Sequence, residues 1–430
     1  MPLRIQSMNS KKLLNDLFQA YYDARRNKRN TISALKFEVD YEKKLFELYE
    51  EIRNGNYQPG ESVCFISFYP VQREVFAADF RDRIVHHLIY NYISPLFERQ
   101  FTPHLLGRRN TFSPKRANGS NGKYCPKGAG FINDAYSCRE GKGTSYGIKR
   151  IDHFIRSCSR NYKKDCYILK LDIKGYFMSM DRFILYDKIE KTLPKISGGG
   201  DVDFDIGLIL YLIRKVIFHD PTKHCRVKGK KSDWQGLPAS KSLFCAKPNQ
   251  GLPIGNLTSQ LFGNVYLNDF DHFIKYNLRI KYYGRYVDDM VLVHQDKEYL
   301  RFIIPKLKKY LRENIDLELH PNKVYLQHFS KGVNFLGVII KPYRVYIRNR
   351  IKGNFYKKIK AWNNYLKEKE NKLSKEEARK FLSCVNSYLG LMKHYKTRKI
   401  RRKMLAKNLS VYFWNYFYIA ENYSKLVLRG

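Results

Sequence analysis

The stretch Lys281-Tyr282-Tyr283-Gly284-Arg285-Tyr286-Val287-Asp288-Asp289-Met290-Val291-Leu292-Val293 decides the fold. Two short runs of aromatic and β-branched residues flank an acidic turn, which predicts a β-hairpin carrying two adjacent carboxylates at its tip. Adjacent like charges repel. In a chain this basic, the pair is worth keeping at a turn mainly where divalent cations neutralise it, and hard cations such as Mg²⁺ take oxygen ligands of this kind. An ordinary Asp-rich turn reads the same in isolation, so the weight falls on its companions.

Upstream, Tyr167-Ile168-Leu169-Lys170-Leu171 is a β-prone run that places Asp172 at a strand end, where its side chain can share a site with the hairpin. Three carboxylates from two segments can hold two metals about 3.5–4 Å apart, the arrangement that clamps the attacking and leaving oxygens of a phosphoryl displacement. The Tyr-Val-Asp-Asp tetrad with Asp172 upstream resembles the palm site of reverse transcriptases.

The 430 residues include 80 Lys and Arg against 40 Asp and Glu, a net charge of +40. Such an excess, spread along the chain, favours a polyanionic partner, with nucleic acid first. No long apolar span or amphipathic anchor argues for a membrane. Met1-Pro2-Leu3-Arg4 lacks the apolar core of a secretory signal, so a cytoplasmic location is expected. The eight cysteines form no Cys-x-x-Cys pair and read as reduced thiols; Cys225 and Cys245 beside His224 are at most half a metal site.

Along the chain, residues 8–53 read as two amphipathic helices and Val63–Phe68 as a strand. Residues 102–132 form a basic, Gly-rich loop insertion, and Lys223–Gln250 a second basic, turn-rich insertion, read as lying near the template. Gly198-Gly199-Gly200 breaks a helix, and Phe204–Phe218 forms the next. From Ile351 to the end, Trp362, Tyr365, Leu366, Phe381, Val385, Tyr388 and Leu389 mark core-facing helical stripes, and the Lys/Arg-rich faces are left for nucleic acid.

Several further segments resemble the reverse transcriptase family in its own order. Arg73-Glu74-Val75-Phe76-Ala77-Ala78 before the Phe80-Arg81-Asp82-Arg83 helix, and Ser137-Cys138-Arg139, resemble its fingers. By resemblance, Arg73 and Arg139 hold the incoming triphosphate, and Phe177 lies under the sugar and excludes a 2′ hydroxyl. Gly255 and Gln260, in Gly251-Leu252-Pro253-Ile254-Gly255-Asn256-Leu257-Thr258-Ser259-Gln260, and Tyr286 join the substrate site. The Ile254 and Gln260 form of that segment looks like the enzymes of diversity-generating retroelements and bacterial defence systems. Lys323 matches the lysine near the leaving pyrophosphate, a candidate acid, and Phe335-Leu336-Gly337-Val338 the primer-grip turn.

The resemblance implies an α+β right-hand polymerase: fingers and a palm with an antiparallel sheet packed on helices, then an α-helical C-terminal thumb. The expected parts are N-terminal helices and fingers over 1–165, palm over 166–343 with the insertion at 221–250, and a basic thumb over 344–430. The implied function is RNA-directed DNA synthesis. Asp172, Ile173, Asp288 and Asp289 would hold two Mg²⁺, with Mn²⁺ as a substitute. Implied partners are dNTPs, an RNA template such as a dedicated non-coding RNA, and the cDNA product, with an accessory protein or a homo-oligomer left open. Two other readings compete. A catalytically idle RNA-binding scaffold would not need intact carboxylates. An RNA-dependent RNA polymerase would want a small or polar residue where Phe177 stands.

Overall fold

The computed structural model describes residues 10–26, 28, 31–68, 71–98, 130–197 and 203–429. All but the last three residues of the expected 102–132 loop, and the Gly198–Gly200 break, lie outside them. The chain divides into two compact units, one of residues 1–147 with 169–326 and one of 148–168 with 327–430.

The first unit opens with helices α1 (Ser10–Arg25), α2 (Ile32–Glu38) and α3 (Tyr41–Arg53). Leu13, Leu17, Ala20, Tyr21 and Ala24 recur at helical spacing and are buried, so α1 offers one apolar face to α3 and to the long α4 (Phe80–Glu98). Between them, β1 (Ser62–Ser67) and β2 (Arg73–Ala77) pair antiparallel, with Val63 opposite Ala77 and Ser67 opposite Arg73. Buried and half-buried residues alternate along β1, the signature of a strand with one covered face.

Helix α5 (Thr144–Cys158) leads to β3 (Tyr167–Asp172), buried along nearly its whole length, then to the single turn α6 (Tyr176–Ser179) and to α7 (Arg182–Ile196) and α8 (Ile206–Phe218). Asp181 and Asp205 cap α7 and α8 by accepting from the N–H groups of Phe183 and Ile184, and of Leu208. The short β4 (Cys225–Val227) joins β1 in parallel, completing a sheet ordered β2-β1-β4. Helices α9 (Leu257–Tyr266) and α10 (Asn268–His272) follow; α9 packs on α4 and α7.

The hairpin of β5 (Tyr282–Tyr286) and β6 (Asp289–His294) has the register Tyr282 opposite Val293 and Tyr286 opposite Asp289, so only Val287 and Asp288 turn. After α11 (Lys297–Ile315), β7 (Tyr325–His328) closes a four-stranded sheet ordered β5-β6-β3-β7. This order puts the end of β3 beside the start of β6.

The second unit holds α5, a sheet ordered β10-β9-β8 from β8 (Val333–Phe335), β9 (Val338–Lys341) and β10 (Arg344–Ile347), and α12 (Asn349–Glu368), α13 (Lys375–Met392) and the short α14 (Arg398–Arg402). Phe355, Ile359, Leu366, Phe381, Val385 and Leu389 build one apolar core. At Leu336-Gly337 both residues take positive φ, 47° and 86°, as a two-residue hairpin loop requires. The expectation of helices from Ile351 to the end holds for α12 and α13 and fails at Phe417–Leu428. There β11 (Phe417–Ala420) and β12 (Lys425–Leu428) form an antiparallel hairpin. The first run carries Phe417, Tyr418 and Ile419 and the second Leu426, Val427 and Leu428, and Glu421, Asn422 and Tyr423 in between adopt positive φ.

No described cysteine is in a disulfide, and no group of three or more His, Cys, Asp or Glu among the described residues is drawn together around a metal-sized point. The half-site at His224, Cys225 and Cys245 is therefore not completed there. Among those residues no helix is long and apolar enough to cross a membrane.

Candidate active site

Asp172 ends β3 and is nearly buried; its Oδ1 accepts a 2.8 Å bond from Lys323 Nζ. The chain beyond it is held in place, because His320 N–H donates to the Asp172 carbonyl at 2.7 Å and Ile173 bridges Leu319. Ile173 is buried and can offer only its carbonyl oxygen. Asp288 sits in the hairpin turn and Asp289 begins β6.

The three carboxylates influence one another electrostatically, although like every other such group among the described residues they are not drawn together around one metal-sized point. Burial and the charge of Asp172 push the Asp288 carboxyl above its ordinary range, against the pull of Lys323 and Arg73. Burial pushes Asp289 up to about 6, opposed by Lys170 and reinforced by Asp288 and Asp172. Lys170 lies two residues before Asp172 in β3 and donates to Asp289 Oδ1. Two ammonium groups thus balance carboxylates that burial alone would protonate.

The hairpin turn is braced from both sides. Val287 has φ 56°, a conformation that costs a β-branched residue. Its N–H donates to Ser137 Oγ at 3.2 Å, and its carbonyl accepts from Arg285 Nη1 at 3.0 Å. Arg285 is fully buried and bonds Asp271 through Nε at 2.8 Å and Nη2 at 2.6 Å, while Tyr283 Oη adds a 2.6 Å bond to the same carboxylate. Gly284 makes room for Tyr136, whose hydroxyl would overlap a Cβ placed there. Arg285, Asp271 and Ser137 do not stand out in the sequence as site residues. Their partners are distant along the chain, and only the acidic tetrad itself points to the turn.

The other expected site residues divide. Arg73 begins β2, is exposed, and stands close enough for its charge to depress Asp288 and Tyr286. Tyr286 is half-buried and pairs across the hairpin with Asp289. Phe177 is half-buried in α6, its ring edge 3.4 Å from where a Cβ on Gly263 would stand. Gln260 is exposed on α9.

Two expectations need correction. Arg139 is turned into the fold: its side chain is 1% exposed and forks onto Glu98 at 2.6 Å through both Nε and Nη2. Its Nη1 donates to the carbonyls of Ile132 and Ala135 at 2.6 and 2.8 Å. It ties a loop to the end of α4 and has no donor group turned outward for a triphosphate. Gly255, at φ 128°, was expected in the substrate site. The approach it makes is to β2, where a Cβ would fall 2.7 Å from the Phe76 carbonyl oxygen.

Residues 130–340 match the family profile described as Reverse transcriptase (RNA-dependent DNA polymerase). That stretch is a reverse transcriptase domain, and its enzyme class is RNA-directed DNA polymerase, a nucleotidyltransferase of mixed α+β fold. No curated protein matches the chain by sequence. Among solved structures it is similar to a telomerase from Candida albicans in complex with a TWJ fragment of telomeric RNA. That match has TM-score 0.40 and 10% identity, and covers 89% of this chain and 68% of that one. It is also similar to apo telomerase from Candida tropicalis, with TM-score 0.44 and 11% identity, covering 83% and 61%. A form of that telomerase truncated from its C-terminal domain gives TM-score 0.40 and 13% identity, covering 66% and 55%. The chain therefore spans between about half and two-thirds of the length of these telomerase chains.

Proposed function

We propose that the whole chain copies RNA into DNA by two-metal nucleotidyl transfer, with Asp172, Asp288 and Asp289 as the metal-holding carboxylates. One observation carries the reading: three carboxylates at adjoining strand ends, two of them raised by burial and by the charge of Asp172, in a chain of net charge +40. The donor set is all oxygen and suits hard cations such as Mg²⁺, with Mn²⁺ as a substitute. Lys170 and Lys323 already place positive charge on it. When bound, such ions would polarise the phosphoryl group and lower the pKa of the attacking hydroxyl. The Ile173 carbonyl would be a fourth ligand.

The chain's own residues would do the rest. Arg73 binds the triphosphate, and Lys323, exposed at its tip beside Asp172, is placed to give a proton to the departing pyrophosphate. Phe177 forms the floor under the sugar, and Tyr286 and Gln260 border the nucleotide. We assign fingers to 1–165, palm to 166–343 and thumb to 344–430. The Ile254 and Gln260 variant supports a place in a bacterial antiphage-defence or diversity-generating system templated by a dedicated RNA.

The test is primer extension by Asp288→Asn with Asp289→Asn. Incorporation of dNTP should be lost while RNA binding stays near wild type, because metal ligands and not basic surface are removed. Substantial extension in Mg²⁺ would refute the assignment.

A further inference from the structure

Lys223–Gln250 is anchored on its inner side and charged on its outer side. Glu74, fully buried in β2, accepts from Trp234 Nε1 at 2.7 Å, Ser242 Oγ at 2.8 Å and the Leu243 N–H at 2.5 Å. Gln72 Nε2 donates to the carbonyls of Asp233 and Gln235 at 2.8 and 3.1 Å. At the other end, Gly251 N–H donates to the Met180 carbonyl at 2.8 Å. A Cβ on Gly175 would stand 2.9 Å from the Ser240 carbonyl oxygen. The segment is thus fixed to the strand that begins with Arg73 and to the turn that carries Phe177.

The outer face is of one sign. Arg226, Lys228, Lys230, Lys231, Lys241 and Lys247 are exposed, and none forms an ion pair with a described residue. The one carboxylate of the segment, Asp233, accepts from the Lys230 backbone N–H at 2.8 Å. Val227 and Phe244 are interspersed with the cations in sequence and 49% and 46% exposed, the Phe244 ring resting with one side on Phe76 of β2, centroids 5.4 Å apart. Unpaired cations on a rigid support fit a polyanion, since their desolvation and ordering are partly met in advance. Exposed apolar side chains gain nothing from a duplex, whose bases are stacked inside, but offer a surface to unpaired bases.

We propose that this outer face seats single-stranded nucleic acid, namely the unpaired template beside the nucleotide site. The proposal rests on the polymerase reading above and adds a surface to it. The test is fluorescence anisotropy of the full chain over a salt series with two probes. One is a blunt RNA–DNA hybrid; the other is the same hybrid with a 5′ single-stranded RNA extension.

Wild type should bind the extended probe more tightly than the blunt one. Arg226→Gln, Lys228→Gln, Lys230→Gln and Lys231→Gln together should remove that advantage and leave the blunt probe unaffected. The salt slope on the extended probe should fall by up to about three, at roughly 0.7 for each single-strand phosphate left without its cation. Lys241→Gln with Lys247→Gln, on another part of the face, should act in the same direction. Equal weakening on both probes, or no weakening by either variant, would overturn the proposal. A wild type that binds both probes equally sinks the proposal alone, and one that binds neither sinks the polymerase reading.

Discussion

At the residue scale, the carboxylate site is a balance between burial and internal counter-charge, and Lys170 tips it. Breaking a buried ion pair by removing one partner typically costs about 3–5 kcal/mol, because the other charge is left without compensation. Lys170→Met should therefore destabilise the metal-free protein by an amount of that order, read by denaturant titration with a chelator present. If Asp289 is a metal ligand, Mg²⁺ should restore part of the loss; equal stability with and without Mg²⁺ would count against ligation there. The pH dependence has a definite sign. Asp289 is raised to about 6 from an ordinary 3.8, so the folded state holds its proton over that window. The contribution of Asp289 to stability is accordingly most favourable below about pH 4 and falls as pH rises through 6, and Mg²⁺ should offset the fall. Phe177 tests the sugar. As a gate, Phe177→Ala raises rNTP use relative to dNTP in single-nucleotide extension. As simple packing, it lowers both equally and costs roughly 3–5 kcal/mol of stability. An unchanged sugar ratio with a lowered melting point removes the gate.

At the element scale, the β5–β6 hairpin carries strain at Val287, where a positive φ meets a β-branched side chain. Strain of this kind costs about 1–3 kcal/mol, and glycine gives back roughly 0.5–1 kcal/mol in chain entropy. Val287→Gly should thus stabilise the fold by about 1 kcal/mol, and a lowered melting point would show that Val287 packing outweighs the backbone. The hairpin, its acidic turn and the strand ending at Asp172 were legible because alternation and turn chemistry are local, although the turn itself is Val287-Asp288 and Asp289 already belongs to β6. What supports them was not. Arg285 reads as one more cation in a basic chain until Asp271, from α10, closes on it. Arg139 resembles a triphosphate-binding position in its local sequence, yet Glu98 captures it from 41 residues away. The Gly255 loop announces a close approach but not to what, and β2 is the answer. The β11–β12 hairpin was hidden because two four-residue strands are too short for periodicity to separate from helix.

At the scale of the whole molecule, an excess of 40 positive charges is expected to govern affinity for a polyanion more than any single interaction. If binding to an RNA–DNA hybrid is dominated by phosphates, log K falls linearly with log salt, steeply when about six or more phosphates are neutralised. The basic run at Arg398–Lys403 is the natural place to test this, but its members are not equivalent. Arg398, Lys399, Arg402 and Lys403 are exposed, whereas Arg401 is buried, with Nη1 donating to Ser424 Oγ and to the Asn422 carbonyl at 3.5 Å. Burial and the charge of Arg398 lower its pKa, as expected of a cation without a facing carboxylate. Lys399→Gln with Arg402→Gln and Lys403→Gln should then shallow the salt slope by roughly one unit for each phosphate partner removed. Arg401→Gln should lower the melting point and leave the slope unchanged, because its charge is spent inside the fold. If the triple variant keeps the wild-type slope, this face does not touch nucleic acid. If Arg401→Gln changes the slope with no change in melting point, its guanidinium reaches phosphate and the packing argument fails.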